Sequence, residues 1–277
     1  MQREIRSNTP LYFSIPLSLL IIVTSIGGMF FRSVYARETL AYAAQGVAQD
    51  LFDFIIVTPT LTISALMIRS GKRSALFVWL GTMLYVLYTF VIYCFAVHFN
   101  SLFLVYCLTL GTSFYAIVTV LTNMSFDEVK GWFNDKKTEN AMSMFLLLIG
   151  VMFYSTWLKE IIPALIHNDI PQSVREARLL TNPVHVLDLS IFLPGVLISS
   201  ILLKKRHSLG YLFAPSLLIF VILTAIAIGS MVISMSLSGV EVELSLSMIF
   251  AVVALISVFV LVNFLSHMKK ESSAETA

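Results

Sequence analysis

The sequence predicts an all-α integral membrane protein of about eight transmembrane helices, arranged as two parallel four-helix repeats. Three observations carry the membrane-spanning, helical part of that prediction. Hydrophobic residues make up 58% of the 277-residue chain and charged residues only 12%, against about 25% charge in an ordinary soluble domain. Eight apolar runs, at about 11–31, 51–68, 75–97, 102–121, 141–158, 184–203, 211–235 and 244–265, each reach the roughly 18 residues or more that let a helix cross a hydrocarbon core. The runs do not alternate in the short segments of a transmembrane β-barrel.

Taken in order, the first run follows Arg3 and Arg6. It is too long for the apolar core of a cleaved signal peptide and has no small-residue cleavage site, so it is expected to remain as span 1. It ends in IGGMFF (26–31) and leads into RSVYARETLAYAAQGVAQD (32–50), read as an outer helix running into span 2. Span 2 opens on DFIIVTPTLTIS (53–64). Span 3 carries Tyr85, Tyr88 and Tyr93, read as packing residues, and the tight turn HFNS at 98–101 joins it to span 4. Cys94 and Cys107 lie nearly equidistant from that turn and are expected to act as small packing residues rather than as a disulfide.

The loop 123–140 mixes acids with lysines and is expected to be a solvated connector. Span 5 contains IGVMFY (149–154), and the loop 159–183, with three prolines, is read as an interfacial cap. Span 6 opens on DLSIFLPGVLIS (188–199). Span 7 holds Ala225 and Gly229, a small-xxx-small pair suited to helix contact. Span 8 precedes the tail SSAETA, expected to be a short disordered end.

Two phrases therefore recur. An acid, a proline six residues on and Ile-Ser beyond it appear at 53–64 and again 135 positions later. IGGMFF and IGVMFY correspond in spans 1 and 5, each followed by adjacent opposite charges, Arg37-Glu38 and Lys159-Glu160. This suggests an internal duplication, with 1–140 supplying spans 1–4 and 141–277 supplying spans 5–8. Four spans per copy bring both copies into the membrane the same way, giving parallel repeats about an axis along the membrane normal.

Counting cations loop by loop places Arg32, Arg37, Lys159, Arg175 and Arg178 on one side and the remainder of the 18 on the other. By the positive-inside rule the richer side is cytoplasmic, with both termini there, in the plasma membrane. A net charge of +2 without an arginine-rich or aromatic-basic stripe excludes nucleic acid as a partner. The expected surroundings are the lipid bilayer and a possible membrane-protein partner.

The candidate binding residues are Asp50, Asp53, His185 and Asp188, with His98 on the same outer side. Ionisable groups within spans cost about 2.5–3.5 kcal/mol at mid-membrane and normally face a bundle interior or wet cavity. Spacing of three puts Asp50 with Asp53, and His185 with Asp188, on one helix face. Pro59 and Pro194 each remove a backbone donor and are expected to kink the helix just past the acid. If spans 2 and 6 converge, the four form one outer-leaflet cluster for a proton or a cation of unspecified identity; if they stand apart, the acids are helix caps. Adjacent Arg37-Glu38 and Lys159-Glu160 are expected to form surface pairs.

No cofactor is predicted: GxxxxGK[ST], HExxH, CxxC and GxSxG are all absent. The function that fits best is a small-solute or ion transporter or channel-like protein using paired carboxylates on proline-kinked spans 2 and 6. The alternatives are a non-catalytic assembly or sensory component, and an outer-leaflet membrane enzyme using His98, His185 and Asp188.

Overall fold

A computed structural model describes residues 8–269; Arg3, Arg6, Lys270 and the SSAETA tail lie outside the described residues. Helices, and no strands, form the secondary structure of the described residues. Eight of them are long and apolar enough to cross a membrane: span 1 Thr9–Phe30, span 2 Leu40–Arg69, span 3 Ser74–Ala96, span 4 Phe103–Thr122, span 5 Lys136–Ile166, span 6 Pro183–Lys204, span 7 Ser208–Leu237 and span 8 Ser245–Ser266. The chain is a multi-pass helical membrane protein. Its exterior carries the large apolar side chains that this requires, such as Leu104, Phe114, Leu255 and Phe259.

Spans 3 and 7 form the centre. In their most apolar windows 72% and 67% of residues are buried, against 22% in span 8. They pack directly on each other, and a glycine makes that possible. A Cβ built at Gly81 would overlap the backbone oxygen of Ser216 and lie 2.7 Å from Ile219 Cβ. Around this pair each half has the same neighbour pattern. Span 1 packs on spans 2 and 4, and span 3 on spans 2 and 4; span 5 packs on spans 6 and 8, and span 7 on spans 6 and 8. The first part of span 2, Leu40–Phe52, also lies on span 7, while the start of span 6, Pro183–Leu187, lies on span 3.

The expected outer helix does run into span 2, capped at its start by Thr39, whose hydroxyl accepts from Tyr42 N–H. Span 5 exceeds the apolar run at both ends: Asp135 caps its first turn, and the helix runs on through Pro163 to Ile166, into the segment expected to be an interfacial cap. The small pair in span 7 is used inside the chain: Gly229 O accepts a hydrogen bond from Ser247 Oγ of span 8 at 3.1 Å.

The loop 123–140 departs from the expected solvated connector. Its short helix Phe126–Gly131 packs on span 7, and the two aromatics that follow it are buried. Phe133 stacks on Tyr211 and Phe264 at 5.5 and 4.6 Å, Trp132 meets Phe77 edge-on, and Arg73 covers the Trp132 ring. Burial of the two aromatic rings draws the segment onto the bundle, while Asp127, Lys130, Lys136 and Lys137 remain at or near the surface. Buried Glu139 forms an ion pair with Arg206 at 2.8 Å across the same end. Cys94 and Cys107 are free thiols in contact across the span 3–4 hairpin.

Replacing Gly81 by Val is expected to lower stability by about 1–3 kcal/mol through overpacking. Thermal unfolding of the detergent-purified protein checks it; an unchanged melting temperature would mean that spans 3 and 7 do not meet there.

Candidate functional site

The repeated phrase folds the same way twice. Both acids begin a single π turn, Asp53–Val57 in span 2 and Asp188–Phe192 in span 6. The N–H of Thr58 reaches back five residues to Asp53 O, and that of Leu193 to Asp188 O. Thr58 Oγ1 adds a second bond to Asp53 O at 2.9 Å. Pro59 and Pro194 then sit in the first turn of the regular helix that resumes, where a missing N–H does least harm. Between acid and proline each span makes a π turn, an irregularity that frequently marks functional sites.

In span 2 the two acids are buried together. Asp50 is 0% exposed and Asp53 3%. Tyr35 donates its hydroxyl to Asp50 Oδ2 at 2.6 Å and Tyr93 donates to Oδ1 at 2.8 Å. Gln49 Nε2 donates to Asp53 Oδ1 at 2.7 Å and to the Tyr85 hydroxyl at 2.6 Å; Tyr85 is in turn hydrogen-bonded to Asp53 and Thr89. Span 1 closes over Asp50 at Gly28, where any Cβ would collide with Oδ2. That accounts for the second glycine of IGGMFF; a Cβ on the first, Gly27, would lie 2.6 Å from Leu102 of the span 3–4 turn. Tyr35 stands just before span 2. Burial first, then the Asp50 carboxylate, push its phenol well above the ordinary value, so it remains a hydroxyl and a donor.

Span 6 builds a smaller group. Trp157 Nε1 donates to Asp188 Oδ2 at 2.8 Å, and the Tyr88 hydroxyl also bonds this carboxylate. Trp157 and His185 lie ring against ring at 4.7 Å, and His185 Nε2 is 3.6 Å from Glu160 Oε2.

The four candidates therefore do not gather into one cluster. Asp50 pairs with Asp53, and His185 stands beside Asp188, in two separate groups; spans 3 and 7 occupy the centre between spans 2 and 6. Among the described residues no group of three or more His, Cys, Asp or Glu is arranged to hold a metal ion. Neither acid is a simple cap, since each lies within a continuous span.

His98 belongs to neither group. Its Nδ1 meets Glu38 Oε2 at 3.0 Å and its backbone N–H donates to Oε1 at 2.7 Å, while Arg37 holds Phe99 O at 3.0 Å. The adjacent charges Arg37-Glu38 thus clamp the span 3–4 turn rather than pairing with each other. Glu160 likewise reaches His185 and the Ser173 N–H. Peptide geometry explains both: neighbours on a helix or turn point apart, so each charge finds a partner on another element.

The sequence reading missed the donors. Tyr85, Tyr88 and Tyr93, expected to be packing residues, each hold one of the three acids. A phenol inside hydrocarbon needs a partner, and that requirement was the available signal. A second lies in the spacing: Tyr35 and Trp157 each stand two residues ahead of the repeated charge pair and each donates to an acid of the following span. No protein-family model, curated protein or solved structure matches this chain.

Tyr93→Phe leaves Asp50 Oδ1 without its donor and is expected to lower stability by about 1–3 kcal/mol. Tyr115→Phe, on the exposed face of span 4, is expected to stay within about 0.5 kcal/mol of wild type. Thermal melting of the two variants side by side makes the comparison.

Proposed function

We propose that this protein is an ion or small-solute transporter or channel-like protein whose proton- or cation-binding site is the Asp50–Asp53 pair. One observation carries this reading. Two carboxylates are buried side by side in a membrane span, and no Lys, Arg or His forms an ion pair with either among the described residues. A buried charge must be neutralised by a partner, a proton or a bound ion. All the protein offers here is hydroxyl and amide groups, whose oxygens suit a hard monovalent cation and whose hydrogens suit a protonated pair. Proton or cation exchange at Asp50 and Asp53 is the chemistry such a site performs.

The reading includes the duplication. Equivalent residues touch each other only on a two-fold axis, and Gly81 meets Ser216, its equivalent at the 135-residue offset of the repeated phrase. The matching π turns and the matching neighbour pattern support two parallel repeats, 1–140 and 141–277, with spans 3 and 7 on the axis. The repeats have diverged where it matters chemically, since His185 stands where the first half has Asp50. The Lys- and Arg-rich end is assigned to the cytoplasm of a cell whose plasma membrane holds the protein, which puts the acids in the outer leaflet. π turns in spans 2 and 6 supply the points about which the outer helix ends can tilt.

The test is thermal unfolding of the purified protein across a pH series and in Li⁺, Na⁺ or K⁺. A ligand that binds only the folded state raises apparent stability, by about 2.7 kcal/mol at one hundred times its dissociation constant. Wild type is expected to gain stability with one cation or with acidification. Asp50→Asn and Asp53→Asn are each expected to lose that gain, and proteoliposome flux should fail in the same variants. A response identical in wild type and both variants would sink the assignment.

A further inference from the structure

Away from the paired acids, a cavity of about 720 Å³ lies between spans 3, 4, 6 and 7. Its walls are apolar except for Tyr88 and Ser199. Along span 6 it runs from Leu187 to Leu202, a rise of about 22 Å at 1.5 Å per residue. Buried Tyr88 and Leu217 form part of its floor, while Phe114 of span 4 and Ile191 and Ile198 of span 6 line it and are exposed on the surface. The chamber is therefore open sideways, into the region the bilayer occupies. Glycines keep it clear: a Cβ at Gly111 would meet nothing within 4 Å, and one at Gly195 only Leu217 at 3.9 Å.

The chamber's end at Leu187 has a polar neighbour. Asp188 follows Leu187 directly and is hydrogen-bonded to Tyr88, which lines the cavity. Its other donor is Trp157, and it forms no ion pair among the described residues. An elongated apolar slot open to lipid accepts a hydrocarbon chain. A carboxylate without a cation at one end of that slot favours an ammonium group through charge and a charge-assisted hydrogen bond.

We infer that this chamber binds an aminophospholipid, one acyl chain lying along span 6 and the primary ammonium of the headgroup facing Asp188. The inference is independent of cation binding at Asp50 and Asp53, which lie in the other polar group.

Native mass spectrometry of the intact protein, titrated with phosphatidylethanolamine or with phosphatidylglycerol of identical acyl chains, tests it. Wild type is expected to retain phosphatidylethanolamine at least five-fold more strongly. Gly111→Trp fills the slot and is expected to abolish retention of the bound phosphatidylethanolamine; Gly195→Met, a smaller change in the same wall, should weaken it in the same direction and stands in if the tryptophan variant does not fold. Asp188→Asn is expected to bring phosphatidylethanolamine down to the phosphatidylglycerol level, whereas Asp53→Asn leaves lipid retention unchanged and alters only the cation response. Equal retention of the two lipids by wild type would overturn the proposal, as would undiminished retention in a folded slot-filling variant. Displacement of the phospholipid by a long-chain prenyl alcohol, which has no amine, would overturn it too.

Discussion

A carboxyl group inside a helical bundle must find its hydrogen-bond partners in the protein, because hydrocarbon offers none. Span 3 meets that constraint for all three acids of spans 2 and 6. Tyr85 serves Asp53, Tyr88 serves Asp188 and Tyr93 serves Asp50, so a single helix fixes both polar groups. Its central position follows from the same arrangement: a helix that must reach span 2 on one side and span 6 on the other has to lie between them. Gly81 lets span 7 close against it, and the remaining spans pack outward to the lipid-facing surface.

The two copies of the acid–proline phrase show how little of a site resides in its local backbone. Both adopt the same π turn at the same register, yet they differ in what surrounds the acid. In span 2 a second carboxylate stands one turn earlier and Gln49 donates to Asp53; in span 6 that place is held by His185, its ring tilted against Trp157. One group is closed over by span 1 at Gly28, and the other sits at the end of an apolar chamber that opens sideways. The same geometric device thus presents one acid to another acid and the other acid to a slot shaped for hydrocarbon.

The far end of the bundle is built on a different principle. There the connector 123–140 turns Trp132 and Phe133 inward, and Glu139 with Arg206 ties the start of span 5 to the loop after span 6. Aromatic burial and one ion pair seal this end, whereas the acid-bearing end is organised by hydroxyl-to-carboxylate bonds.

The sequence by itself determined the class of the protein, the eight apolar spans, the spacing of each acid from its proline, and the helix that continues into span 2. These are legible because hydropathy, helix length and proline chemistry act over a few neighbouring residues. Only the tertiary structure decided that the acids form two groups instead of one, that His98 belongs to a surface clamp, that the connector is a plug, and that four tyrosines, a tryptophan and Gln49 are the donors. Those facts depend on how each helix is rotated about its own axis and which helix stands next to it. In a span that is apolar on every side, such as span 3, the sequence carries no amphipathic stripe to set that rotation. Packing at glycines such as Gly28 and Gly81 sets it instead, through contacts between residues far apart in the chain.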